Sequence, residues 1–471
     1  MQRTKNAPVS RRGFLKGSMG AVAAIGFPTI VPASIFGQTA PSNRINIGAI
    51  GVGRISRGHD LPGIWQFDHA RIIAVCDLDA QRVEKAKTLV NGVYAKKTSR
   101  AYDGVTGYSN YHELLADKDV DGVVISTPDH QHSILAVDAV RAGKDVYLQK
   151  PASLTIAEGR HMADAVKASG RILQIGSQQR SWVQFRIAAE LVRNGRIGDL
   201  KHVEIGLPGD PAGGNPTPMP VPAGFQYDAW LGSTPVIPYT VDRVMPQNGF
   251  DRPGWLRCEQ FGAGMITGWG AHHVDSAHWG MDTEDTGPVE IWGEAEFPTH
   301  GLWDVHGKFK THAVYANGVT MDISGDFPNG IKFYGTKGWL FVTRTEQVTP
   351  TDPGGKPKAT PGAALVGPLA VAGLTVSDPK IMETDFGPGD VHLYRSSDQH
   401  GNWLDCIRSR KEPISPAEKG HRACSTCLLH HIAMKTKRKM YWDPAQERFK
   451  NDEEANKMLS RLQRGPYQFS S

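Results

Sequence analysis

Between residues 43 and 176 the chain repeats one pattern: a short apolar run that reads as a strand, a polar cluster at its end, then a helical stretch. Such alternation builds a parallel sheet with helices on its faces, because a parallel neighbour needs a crossover connection. The runs are 43–50, Ala70–Cys76, Val120–Ser126, Val146–Leu148 and Arg171–Gly176. The clusters that follow them are Gly51–Ser56, Asp77, Thr127–His132, Gln149–Pro151 and Ser177–Arg180. The carboxyl ends of the strands in an open α/β sheet share one edge, where ligands bind, so five polar clusters are predicted to converge on one site. Residues 91–108 are polar and read as a strandless surface loop.

The first cluster, Gly51-Val52-Gly53-Arg54-Ile55-Ser56, follows a strand and leads into a helix. Gly51 permits a tight turn, Gly53 permits close approach of a pyrophosphate, and Arg54 and Ile55 open a helix whose N–H groups face phosphate. The third small position of this dinucleotide fingerprint is Ser56. Asp77 lies 26 residues after Gly51 at the end of the second strand. A carboxylate there accepts hydrogen bonds from a ribose diol and repels a 2′-phosphate, which favours NAD, with NADP as the alternative. Asp77 also reads as the N-cap of the next helix.

Residues 1–40 contain Ser10-Arg11-Arg12-Gly13-Phe14-Leu15-Lys16 and an Ala- and Gly-rich apolar run, the pattern of a twin-arginine export signal. A periplasmic or extracytoplasmic location is therefore expected. Those residues carry five basic side chains and no acid, so without them Lys+Arg would equal Asp+Glu at 48. The formal charge of +5 thus gives no argument for nucleic acid. No apolar run is long enough to embed the chain in a membrane. Five cysteines are too few and odd in number for a disulfide framework. Cys424 and Cys427 fall three apart in a stretch that reads as a helix, where they are expected to pack into a core.

The motifs S-T-P-D-H-Q-H at 126–132, G-K-D-V-Y-L-Q-K-P at 143–151, G-S-Q-Q-R at 176–180, D-A-W-L-G at 228–232, G-W-G-A-H-H-V-D at 268–275 and G-T-K-G-W-L at 335–340 complete the picture. With the Gly-rich turn, they make nearly everything after residue 40 resemble the Gfo/Idh/MocA family of oxidoreductases. The resemblance implies an α/β protein in three parts: the signal 1–40, an NAD(P)-binding Rossmann domain 41–180 with a doubly wound parallel sheet, and a C-terminal α+β domain 181–471 with a large, mostly antiparallel sheet. Alternating stretches at 308–314 and 318–324 agree with strands in that second sheet. A homodimer or homotetramer is implied by analogy.

The resemblance assigns proton transfer to Lys150 and His272, with Asp275 placed three residues on to orient the imidazole. Ser126, Thr127, Pro128, His130, Gln149, Gln178 and Arg180 are expected around the cofactor beside Lys150. Arg180, Trp182, Trp255 and His273 are expected to contact substrate together with Lys150 and His272. No metal is expected, because His272 and His273 lack helical ligand spacing. Two positions depart from the family pattern: Gln149 replaces its glutamate and Gly268 its aspartate, so the acid–base network must be rewired. The expectation is an exported oxidoreductase with tightly bound NAD(P), acting on a sugar or glycoside hydroxyl or keto group. The alternatives are a redox-neutral NAD-dependent glycosidase like those of glycoside hydrolase family 109, and a non-catalytic protein that binds sugar and NAD.

Overall fold

The central strands of the first half are short and buried on both faces, which is why they read as near-continuous apolar runs. In the computed structural model, which describes residues 43–244, 254–345 and 367–469, they are β1 Ile45–Ile50, β2 Ala70–Cys76, β3 Thr106–Tyr108, β4 Gly122–Ile125, β5 Asp145–Leu148 and β6 Leu173–Ile175. The expected export signal lies outside the described residues. The strands form one sheet in the order β3-β2-β1-β4-β5-β6, and every pair is parallel. The order reverses at β1, so a crevice opens between the connections leaving β1 and β4.

The stretch 91–108 is not a loop. The helix Ala80–Thr98 runs through its first part, burying Val83, Ala86, Val90 and Tyr94. Thr106–Tyr108 pairs with β2 as the edge strand. One apolar stripe among lysines gives little sequence signal, and a three-residue exposed edge gives less.

The second sheet has nine strands: β7 Leu200–Gly206, β8 Pro288–Ala295, β9 Phe309–Tyr315, β10 Thr320–Ser324, β11 Gly330–Gly335, β12 Gly338–Val342, β13 Leu374–Val376, β14 Met440–Asp443 and β15 Arg448–Phe449. Its order is β13-β12-β11-β7-β10-β9-β8-β14-β15, antiparallel throughout except where β7 meets β10. Period-two burial sets its faces: Phe309, Thr311, Ala313 and Tyr315 point inward from β9. Helices Gly270–Met281 and Ala417–Thr436 pack against this inner face. Cys424 and Cys427 on the second of them are buried and free, which fits a packing role.

One apolar cluster joins the two sheets without interruption, from Val123 and Leu148 through Val274 and Leu428 to Ile205 and Ile323. The far face of the parallel sheet is closed by a helix from late in the chain. Trp403 and Leu404 of Gln399–Ser409 pack with Ile47 and Ile72. Among the described residues no helix is long and apolar enough to cross a membrane.

Candidate active site

The ends of β1, β2, β4 and β5 open into a cavity of about 510 Å³. Gly51 turns the chain at its edge with φ +80, and a Cβ there would lie 2.8 Å from the Ser126 carbonyl oxygen. Both the left-handed conformation and the contact demand glycine. The expected result of Gly51→Ala is a backbone penalty of about 1–2 kcal/mol and roughly ten-fold or greater loss of bound dinucleotide. Nucleotide released on denaturing the purified variant measures it.

Asp77 braces this turn from the neighbouring strand. Its Oδ2 accepts from the Val52 N–H at 2.9 Å and its Oδ1 from the Asp79 N–H at 3.0 Å. The N-cap role belongs to Asp79, which accepts from the Gln81 N–H at 2.9 Å. Burial pushes the Asp77 pKa up, and Arg82 and the two N–H groups pull it back. Asp77 lines the cavity together with Gly51, Gly53, Arg54 and Ile55.

Further along the same cavity lie Ser126, Thr127, Pro128, His130, Gln149, Lys150 and Gln178. Lys150 Nζ donates to the Gly268 carbonyl at 2.8 Å. A backbone oxygen thus faces the ammonium at the position where the family resemblance implies a carboxylate. His130 Nε2 donates to the Trp230 carbonyl at 2.7 Å, while its Nδ1 is buried without a partner. Burial lowers the His130 pKa to about 3, so the ring is neutral and offers an acceptor. The ring nitrogens of His132 face the carbonyls of Pro151 at 2.6 Å and Thr127 at 2.9 Å, tying two strand ends together.

Gln149 has its carboxylate one layer below. Its Nε2 donates to Asp60 Oδ1 at 2.8 Å, and Asp60 also accepts from Ser126 Oγ at 2.6 Å and His400 Nε2 at 3.1 Å. Asp60 is fully buried; burial opposes its charge, but His400, His59 and Ser126 outweigh that and hold its pKa below the usual range. It sits in a π-helical turn, Ser56–Asp60, directly after the Gly-rich loop. Sequence reading missed Asp60, His59 and His400; the available signal was the uncharged Gln149, which called for a carboxylate elsewhere. His59, Asp60 and His400 present donor atoms within 4.8 Å of one another. Both Asp60 oxygens already accept hydrogen bonds, so the group reads as a buried network. His59 meets Gln178 at 2.9 Å and links it to the cavity.

Five expected site residues lie outside the cavity lining. Arg180 is 2% exposed and grips Asp275 through Nε–Oδ2 at 2.7 Å and Nη2–Oδ1 at 2.8 Å, and Glu284 through Nη1–Oε1 at 2.7 Å. Its guanidinium is committed to structure, which corrects its expected contacts with cofactor and substrate. Asp275 in turn is not the orienter of His272, because both its oxygens belong to Arg180. His273 is held by Asn329 at 2.8 Å and Gln179 at 3.2 Å, and Trp182 lies under the Arg344 guanidinium at 5.1 Å. Both are tied up in packing rather than presented to the cavity. His272 is buried with Nδ1 unpartnered; burial, then the Arg344 and Lys150 charges, push its pKa far down, so it is a neutral imidazole. Trp255 does line the cavity, next to an aromatic cluster of Tyr227, Trp230, Tyr239 and Phe261.

The chain's last described segment reaches the cavity, where Pro466 and Tyr467 join its lining. Arg461 fixes it to Glu158 at 2.7 Å and to the His130 carbonyl at 3.1 Å, and Arg464 to the Gly232 carbonyl at 2.9 Å.

A glycine cradle at a strand–helix turn, a strand-end carboxylate, and buried unpartnered acceptors or hydroxyls at His130 Nδ1 and Thr127 Oγ1 fit a dinucleotide along this rim. Residues 45–177 match the oxidoreductase family NAD-binding Rossmann fold, and residues 213–348 and 391–469 match that family's C-terminal alpha/beta domain. A glycosyl hydrolase family 109 protein of Shewanella amazonensis is 30% identical over 211 residues, 42% of this chain and 46% of that protein. An inositol 2-dehydrogenase of Azotobacter vinelandii is 30% identical over 158 residues, 33% of this chain and 43% of that protein. The chain thus spans less than half the length of these curated relatives. Among solved structures, the WlbA dehydrogenase of Bordetella pertussis, in complex with NADH and UDP-GlcNAcA, superposes with a TM-score of 0.58 at 16% identity, covering 85% of this chain and 99% of that one. The aldose-aldose oxidoreductase of Caulobacter crescentus gives 0.55 at 18% identity, covering 84% and 99%. Carried by the two family matches, and by a fold and a nucleotide rim that agree with them, the chain belongs to the Gfo/Idh/MocA family of oxidoreductases, with an NAD-binding Rossmann domain followed by the family's C-terminal domain.

Proposed function

We propose that this protein is an exported oxidoreductase that acts on a hydroxyl or keto group of a sugar or glycoside while retaining its NAD. The observation that carries the reading is the position of Lys150: its ammonium is anchored by the Gly268 carbonyl and lines the same cavity as the Gly51 turn and Asp77. When bound, the dinucleotide supplies the hydride acceptor or donor. Lys150 moves the hydroxyl proton. Asp77 receives the ribose hydroxyls on the lone pairs its two N–H partners leave open.

The filled twin-arginine pattern at 10–16 supports export. Outside the cytoplasm there is no pool of free NAD, so the same bound molecule must be reduced and reoxidised in turn. The segment 461–467, pinned by Arg461 and Arg464 and lining the cavity with Pro466 and Tyr467, supports retention. Half-exposed Trp292, Tyr334 and Trp339 on the outer face of the nine-stranded sheet support a homodimer or homotetramer through that face.

The test is to denature the purified protein, identify the nucleotide and its redox state, and screen the intact protein against sugars for a change in nicotinamide absorbance. Absence of any dinucleotide would sink the reading. The second reading, a redox-neutral glycosidase, is favoured by the family 109 proteins among the relatives. Release of an aglycone without net change in the cofactor would select it. Binding of NAD and sugar with no turnover would select a non-catalytic protein. Asp77→Ala is expected to weaken NAD binding roughly 10- to 100-fold, from the loss of about 1.5–3 kcal/mol of charge-assisted hydrogen bonding. The same change raises acceptance of NADP, and competitive loading of the two nucleotides measures both.

A further inference from the structure

Resting on the reading of a retained NAD, we propose that residues 222–226 of the second domain are a clasp over the adenosine half of the dinucleotide, and that opening of this clasp sets how fast the nucleotide leaves. Asp77 marks the adenosine end, because it stands where the adenosine ribose presents its hydroxyls. Leu78 follows it after β2, and Ser109 follows the end of the edge strand β3. Phe225 and Gln226 line the cavity together with Asp77, Leu78 and Ser109. Gln226 reaches this end of the first domain from 117 positions beyond Ser109.

Three hydrogen bonds fasten the clasp to the strand ends. The Ala80 N–H donates to the Gly224 carbonyl at 3.0 Å, the Gln226 N–H to the Leu78 carbonyl at 2.9 Å, and Gln226 Nε2 to the Ser109 carbonyl at 3.1 Å. The first two make Asp79 and Phe225 partners in a single antiparallel bridge. The sequence shapes the approach. Pro222-Ala223-Gly224-Phe225 closes a turn in which the Phe225 N–H donates to the Pro222 carbonyl at 3.2 Å, with Gly224 at φ +79. Positive φ at the third residue is the type II pattern, which favours glycine there. Leu78 from the first domain and Phe225 from the clasp both pack on the aromatic cluster of Tyr227, Trp230 and Tyr239.

The clasp is the part of this wall that can open. The two sheets share one uninterrupted apolar core, so the domains do not separate to let the nucleotide out. In the clasp, Ala223, Gly224 and Gln226 are exposed, Pro222 and Phe225 are half-buried, and a single bridge holds the backbone. Segments with few buried apolar contacts and exposed hydrogen bonds open locally at far lower cost than a core. Shut, it encloses the adenosine half between strand ends of the first domain and a segment of the second. Open, it leaves that half facing water. Differences in affinity between related complexes lie mostly in the dissociation rate, and the clasp acts on that rate.

The test loads the full-length protein with radiolabelled NAD and follows release after a chase with excess unlabelled NAD. In the double variant Asp79→Cys, Phe225→Cys the new thiols occupy the narrow pair of the bridge, where Cα atoms lie about 4.5 Å apart, within reach of a disulfide. The native cysteines are all buried, so oxidation staples the clasp alone. The oxidised form should release label roughly ten-fold or more slowly than the same protein reduced, which serves as its own control for the loss of Asp79. Equal rates in the two redox states, or a pair that will not oxidise, overturn the clasp. Gly224→Ala probes it in the other direction. The nearest atom to the new Cβ is the Ala80 Cβ at 3.6 Å, an ordinary contact, so the change strains the turn and removes nothing. Release of NAD, and of ADP-ribose, which keeps the adenosine half and lacks the nicotinamide ring, should both quicken roughly ten-fold. Unchanged release in Gly224→Ala, or faster release in Arg464→Ala alone, gives the gate to the C-terminal tail and overturns the clasp. A protein that binds no NAD at any concentration sinks the dinucleotide reading itself, whereas label that binds and leaves at one rate in every form sinks the clasp and spares that reading.

Discussion

Lys150→Met is expected to lower turnover by roughly 100- to 10,000-fold, the usual contribution of a positioned general acid or base. This corresponds to about 3–5 kcal/mol of transition-state stabilisation. The amine is the polar side chain that the end of β5 delivers into the cavity beside Gln149, and its Nζ is fixed by a 2.8 Å bond to Gly268. Methionine keeps the length and apolar bulk of the stem, so folding and nucleotide content should hold while kcat falls. Arginine should not rescue, because a guanidinium does not give up its proton near neutral pH. Single-turnover rates, normalised to the nucleotide released on denaturation, separate lost chemistry from lost cofactor. Wild-type rates in Lys150→Met would remove this residue from the reaction.

Arg180→Met is expected to lower unfolding free energy by about 3–5 kcal/mol, the cost of leaving the buried Asp275 carboxylate without its cation. Asp275 and Glu284 are 1% and 8% exposed; both pair with this guanidinium, and Glu284 also meets Lys419 at 3.4 Å. The sign of the pH effect follows from Glu284. Arg180 and Lys419 overcome burial and hold its pKa below the usual value. Stability from that shift is therefore present above its unfolded pKa of about 4.3 and is lost as pH falls through the lower folded value. The deficit of the variant should be largest near neutral pH and shrink below about pH 4. Denaturant unfolding at two pH values measures it. A catalytic Arg180 would instead give a stable, inactive protein.

The nucleotide rim was legible because period and punctuation carry it: apolar runs that end in Gly-x-Gly, in Asp77 or in Gln149-Lys150 can only meet at one edge of a parallel sheet. The Arg180–Asp275 pair was not. The three-residue spacing of His272 and Asp275 on one helix was read correctly, but the partner of Asp275 arrives from the turn Gln178–Ser181, 95 positions earlier. The same limit hid Asp60 and His400, which are 340 positions apart and meet only because helix Gln399–Ser409 returns to the first sheet.

The apolar core that runs unbroken between the two sheets leaves no seam along which the halves could part. Swinging them open would expose buried aliphatic surface at about 25 cal/mol per Å², far beyond thermal reach. Small molecules must therefore enter and leave past loops and the arginine-pinned tail, so traffic through this protein is a matter of doors in a fixed wall rather than of jaws.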